Sequence, residues 1–146
     1  MINLPSDMDP APFQHRHRVT YAECTAGNHV YYSRYLDILE AARGEFFRHL
    51  GVSFLQWQER QIIFPVIECR LRHHAPARYD DLLVIEIWPA ALGRVRLNFG
   101  SRVLNQAGAV ILLAETSHAC TGLDEKPRRL PEELEKLLRP WMRSAA

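Results

Sequence analysis

Residues 13–21 alternate: Phe13, His15, His17, Val19 and Tyr21 fall on one side, and Gln14, Arg16, Arg18 and Thr20 on the other. A period of two predicts a strand. From Tyr31 the period lengthens. Tyr31, Tyr35, Ile38, Leu39, Ala42, Phe46 and Leu50 recur at spacings of three and four, the stripe of an amphipathic helix. Gly51 stands where a helix C-cap wants it. About 20 residues give roughly 30 Å of helix, long enough in so short a chain to form the spine of a core. Residues 54–60 predict a further short helical turn. Extended segments follow. Residues 61–74 are apolar early and alternate later, and Ala75-Pro76-Ala77 reads as a turn. Residues 82–88 alternate weakly, and Pro89 predicts an edge or a bulge. Gly93 turns the chain into 94–104, where Val95, Leu97, Phe99, Ser101 and Val103 face one way. Asn105-Gln106-Ala107-Gly108 is a hairpin turn, and 109–121 is the last strand. Pro131 opens a short helix that ends at Leu138.

The order is therefore strand, long helix, four strands: an α+β arrangement. One helix cannot cover both faces of a five-stranded antiparallel sheet, but a curved sheet wrapped around one long central helix solves the inside. The outer face and the edge strands would then be covered by a second copy. Residues 1–146 read as a single domain, with 1–11 a loose N-terminal arm and 123–146 a C-terminal tail carrying the short helix. A chain of 146 residues buries roughly 68–70% of its unfolded surface and needs no staples.

Composition narrows the partners. A formal net charge of +1 gives no field to gather phosphate backbones, which argues against a nucleic-acid partner. Cys24, Cys69 and Cys120 are an odd set, and no basic stretch leading into an apolar run opens the chain. Both point to reduced thiols in a cytoplasmic protein. No apolar run of about 18 residues exists to span a membrane.

The junction Tyr21-Ala22-Glu23-Cys24-Thr25-Ala26-Gly27-Asn28-His29-Val30-Tyr31-Tyr32 joins strand to helix and crowds polar groups beside a helix start. Together with the element order it resembles the hotdog-fold acyl-CoA thioesterases of the 4-hydroxybenzoyl-CoA thioesterase type. The matching residues are Tyr21, Glu23, Val30, Tyr31, Tyr35, Leu36, Glu40, Arg43, Leu50 and Gly51. Pro76-Ala77-Arg78-Tyr79-Asp80-Asp81 and Ser117-His118-Ala119-Cys120 also resemble family segments. The likeness covers about residues 13–125 and implies a hotdog fold. It also implies hydrolysis of a thioester carried on coenzyme A or an acyl carrier protein, with no cofactor. The site would lie between subunits of a homo-oligomer, at least a dimer and, as a dimer of dimers, a homotetramer.

The family's acid falls on Thr25, and its glycine on Asn28 with Gly27 one place early. The resemblance implies that helix-start N–H groups, here about 28–32, meet the thioester carbonyl; such groups lack internal partners and the dipole favours negative charge there. The family's Asp is the base or nucleophile. A threonine hydroxyl does not replace it unaided, so Thr25 either positions water or caps the helix. Glu23, two residues back, Glu40 on the helix and His29 at its start are the candidate bases. Each has a duller reading: Glu23 as a cap or a partner of Arg43, Glu40 as structural, His29 as a loop hydrogen-bonder. Arg43 would hold the charge of the intermediate or make a structural ion pair. Asn28, Val30, Tyr31, Tyr32 and Tyr35 are the candidate substrate-binding residues, the tyrosines also reading as core. Without turnover, the same site would make a non-catalytic acyl-thioester-binding protein.

Other patterns carry less. His15 and His17 share a strand face without a third ligand, and His73 and His74 point to opposite faces, so no metal site is expected. Cys24 reads as a small buried hydrophobe. Arg70, Arg72, Arg94, Arg96, Arg128 and Arg129 are candidates for coenzyme phosphates. Hydratase chemistry would need an Asp or Glu and a His in fixed arrangement, and no such motif stands out.

Overall fold

The computed structural model describes residues 9–143; most of the arm expected at 1–11 and the last three residues of the tail lie outside them. In chain order the elements are β1 (Phe13–Arg18), α1 (Arg34–Leu50), α2 (Phe54–Glu59), β2 (Val66–His73), β3 (Leu82–Leu92), β4 (Arg96–Leu104), β5 (Val110–Ala119) and α3 (Glu132–Leu138), with 3-10 turns at Tyr21–Glu23 and Arg139–Trp141. The strands form one antiparallel sheet in the order β1-β3-β4-β5-β2. This is the five-stranded sheet and long helix of the hotdog fold.

α1 starts at Arg34, three residues later than the apolar spacing suggests. Tyr31 is outside it because its amide is held by the Glu23 carbonyl, at 2.9 Å, and its own carbonyl accepts from Arg34. Asp37 in the first turn and Arg48 and His49 in the last oppose the helix dipole. Gly51, at φ 96°, ends the helix in the left-handed conformation that a side chain would resist. The buried stripe is Tyr35, Ile38, Leu39, Ala42, Arg43, Phe46 and Phe47. It faces Leu83, Ile85 and Ile87 of β3, Leu97, Phe99 and Val103 of β4, and Leu112 and Ala114 of β5 in one core cluster. Phe99 fixes the contact, with ring centroids 6.4 Å from Phe46 and 6.0 Å from Phe47. Ser53 closes a capping box on α2, exchanging bonds with Gln56 at 3.2 and 2.7 Å. The tail folds back: Leu130, Leu134 and Leu138 are buried, and the Trp141 ring lies 5.3 Å from Phe46.

Three local expectations are refined. Val19 is fully buried but Tyr21 is 79% exposed, because the strand ends at Arg18 and the chain turns. β2 begins only at Val66, after an isolated bridge between Ile63 and Thr121. Pro89 sits in a strand with neighbours on both sides, yet it does so at a register shift beyond the end of β1, where its missing N–H breaks no ladder bond to that strand. The sheet has two edges. One is β1. The other is β2, whose residues are exposed throughout except for a half-buried Leu71.

Candidate active site

The junction is a web of backbone bonds. Glu23 ends a 3-10 turn, and its carboxylate accepts from the Thr20 amide at 2.7 Å and meets His17 Nε2 at 2.8 Å. Burial alone would raise the Glu23 carboxyl pKa, but these hydrogen bonds overcome it and hold the group below the ordinary carboxylate value. Glu23 is thus tied to His17 and to its own turn, and not to Arg43. Thr25 donates its amide to the His29 carbonyl and accepts from the Asn28 amide, closing a tight loop that puts Asn28 at φ 58°. Asn is among the few side chains that tolerate that conformation. Its Oδ1 accepts from the Tyr79 amide at 3.0 Å, clipping the loop to the segment before β3. The Thr25 hydroxyl is exposed and has no hydrogen bond among the described residues.

The helix-start donors expected over 28–32 are largely committed. Asn28 donates to Thr25, Val30 to Ala77 and Tyr31 to Glu23. Val30 is buried in the core, while Tyr31 and Tyr32 are exposed, their rings 4.7 Å apart and tilted by 50°. Tyr35 is buried, its ring 5.4 Å from His73. His29, Val30, Tyr32 and Tyr35 line one shallow surface pocket together with His73 and His74.

Glu40 and Arg43 lie elsewhere, in a cavity of about 210 Å³ between α1, α2 and the end of β5. Its walls are apolar: Phe47, Phe54, Phe64, Phe99, Ile62 and Val66. The sequence candidates therefore divide between two places, one around the junction and one in this cavity. Arg43 comes from the middle of α1 and is 7% exposed. Burial lowers its pKa and the neighbouring Glu40 raises it back in part. Its guanidinium makes no hydrogen bond or ion pair among the described residues. None of its nitrogens is sealed in the core without a partner, so the head group reaches the cavity, where water or a ligand can supply the acceptor.

Two further groups face the cavity region and escaped the sequence reading. Along β5, Leu112, Ala114, Thr116 and His118 share the helix-facing side by the strand's period of two. His118 is 4% exposed and packs edge-on to Phe99 at 5.6 Å. Its Nδ1 lies 3.1 Å from the Phe64 carbonyl, so that nitrogen carries the proton and donates. Nε2 then accepts from the Thr116 hydroxyl at 2.9 Å. Burial, with the Arg43 charge beside it, pushes the His118 pKa down to about 4, so the ring is neutral near pH 7. The signal was present: polar residues two apart on the core-facing parity of an otherwise apolar strand. Among the described residues no group of three or more His, Cys, Asp and Glu is arranged to hold a metal.

Comparison with known proteins agrees with this architecture. A family model described as the thioesterase superfamily matches residues 27–112. The acyl-CoA thioester hydrolase YbgC of Escherichia coli O6:H1 is 32% identical over 118 residues, spanning 80% of this chain and 88% of that protein. The 1,4-dihydroxy-2-naphthoyl-CoA hydrolase of Thermosynechococcus vestitus is 28% identical over 141 residues, 94% of each chain. The crystal structure of a probable thioesterase from Bartonella henselae superposes with a TM-score of 0.79 at 28% identity, covering 83% of this chain and all of that one. With its sheet order, its long buried helix and these relatives, the chain belongs to the thioesterase superfamily.

Proposed function

We propose that this protein hydrolyses acyl-CoA thioesters in the cavity between α1, α2 and β5, with Arg43 receiving the carbonyl oxygen. The observation that carries the assignment is Arg43 itself: a residue 7% exposed overall, its guanidinium without a hydrogen bond or ion pair among the described residues, at the wall of an apolar cavity. A thioester carbonyl develops negative charge as it is attacked, and a preorganised cation in a water-poor site stabilises that charge more than it stabilises the ground state. Glu40, one helical turn before Arg43 and lining the same cavity, places a negative charge near the guanidinium and offsets part of the cost of its burial. The four phenylalanines suit an apolar acyl group. Superfamily membership and the named activities of the relatives make the chain a hydrolase of thioester bonds, and binding without turnover is not favoured.

The single unit works as an oligomer in this reading. β2 ends the sheet with Val66 and Ile67 each about half exposed, and a second copy pairing along it would cover both and flank the groove of Leu36, Asp37, Cys69 and Thr116 beside Arg43. No helix among the described residues is long and apolar enough to cross a membrane, which fits action in the cytoplasm.

The test is steady-state thiol release from a panel of acyl-CoAs and acyl carrier proteins. A kcat/KM above about 10⁴ M⁻¹s⁻¹ on at least one acyl-CoA is expected, and Arg43→Gln should lower kcat by about 100-fold or more while the protein stays folded. Background rates on every acyl-CoA, or full activity in the variant, would overturn the assignment.

A further inference from the structure

We propose that Thr116 and His118 are the proton relay of this site, standing in for the acid that the junction lacks. The inference rests on the hydrolase reading above and adds to it the group that activates water. The geometry is a chain of three: the Thr116 hydroxyl donates to His118 Nε2 at 2.9 Å, and His118 Nδ1–H donates to the Phe64 carbonyl at 3.1 Å. The carbonyl fixes both ring orientation and tautomer, leaving Nε2 as the free base directed at the hydroxyl. Thr116 lines the groove that Arg43, Glu40, Val66 and Cys69 also line, and His118 lines the adjoining cavity with Arg43. The relay and the oxygen-binding cation thus border two adjoining pockets that share Glu40, Arg43 and Val66.

The arrangement makes little sense as packing alone. Leucine or valine at 116 and 118 would continue the apolar face of β5 set by Leu112 and Ala114 at no polar cost. Burial and the neighbouring Arg43 charge push the His118 pKa down to about 4. In compensation a neutral base is available at every pH at which a thioesterase works.

Water hydrogen-bonded to Thr116 attacks the thioester carbon, forming the new C–O bond. Its proton passes to the Thr116 oxygen as that hydroxyl's own proton passes to His118 Nε2. The carbonyl oxygen becomes an oxyanion against Arg43. Collapse breaks the C–S bond, and the departing thiolate takes the proton back from the imidazolium, which the nearby guanidinium makes strongly acidic. Acid and free thiol leave, and the relay returns to its starting tautomer.

The experiment measures kcat and KM from about pH 3 to 9 for the wild type, Thr116→Val, Thr116→Ser and His118→Asn, with thermal unfolding of each. Asparagine can still donate to the Phe64 carbonyl but supplies no base. Thr116→Val and His118→Asn are expected to lose about 100-fold in kcat, the lower range for general-base catalysis, with KM within about threefold. Thr116→Ser should stay within about tenfold of wild type. The wild-type rate should hold down to about pH 4 and fall below it, and that limb should vanish in His118→Asn. Wild-type kcat in a folded Thr116→Val or His118→Asn, or an unchanged acid limb, would overturn the relay while leaving the hydrolase intact. Wild type inert on every thioester would sink both. Should the variants fail to fold, a proton inventory on wild type decides: two protons in flight bow the plot of rate against deuterium fraction, and a straight line rejects the relay.

Discussion

Asn28 shows what the junction does with its polar residues. It adopts a left-handed backbone at φ 58° and spends its side-chain oxygen on the Tyr79 amide. Replacing it with alanine removes that hydrogen bond, worth about 1 kcal/mol, and adds roughly 1–2 kcal/mol of backbone strain. Asn28→Gly removes only the bond. Urea denaturation should therefore place Asn28→Ala clearly below Asn28→Gly, an inversion of the usual penalty for glycine; the usual order would show that the loop relaxes. The sequence made the junction legible as a polar crossing from strand to helix. It did not make legible that Glu23 answers to His17, or that three of the five expected helix-start amides are spent on backbone carbonyls. Those depend on where residue 77 and residue 17 come to rest, which no local spacing encodes. Arg43 was legible only through its match to the family's helix residues, not through the apolar spacing of the helix. Thr116 and His118 were not, because strand parity reads as core unless the polar residues on it are asked what they face.

Among the elements, the outer face of the sheet holds a contact with no slack. Trp88 on β3 and Gly100 on β4 are register partners, and the indole lies across the glycine so closely that a Cβ there would collide with the ring. The same indole carries the Arg143 guanidinium 5.2 Å above it, and the Arg143 amide donates to Pro89. Gly100→Ala must push Trp88 aside and loosen this clasp on the end of the tail. A loss of about 1–3 kcal/mol is expected, visible as a lowered Tm; an unchanged Tm would mean that the indole has room to swing. The strand periods, the Asn105–Gly108 hairpin and the bulge at Pro89 were all readable, since each is set by a few adjacent residues. The late start of α1 was not, because Tyr31 sits in phase with the stripe while a distant carbonyl holds its amide.

For the molecule as a whole, the decisive feature is the free edge. β2 bonds to β5 on one side only, with Val66 and Ile67 turned to solvent and only Leu71 half buried. The strand also carries Glu68, Arg70 and Arg72, yet its open backbone edge beside two exposed aliphatic side chains is a template for pairing with another chain. Sedimentation should give a mass at least twice that of one chain, and Ile67→Glu should shift it towards the monomer. A monomeric wild type would mean that the edge is covered in some other way. Fold class could be read from element order because a five-stranded sheet has few ways to bury one helix. The oligomer rests on the same reasoning extended beyond the chain.

The sheet order also sets a timetable. β2 is the second strand to be made, yet its sole partner in the sheet is β5, the last. A chain still in synthesis therefore holds β2 as an orphan strand with no sheet partner until residues after Val110 emerge. Stable folding must wait for nearly the whole polypeptide, and truncations short of β5 should be clients of chaperones and proteases, not smaller versions of the same protein.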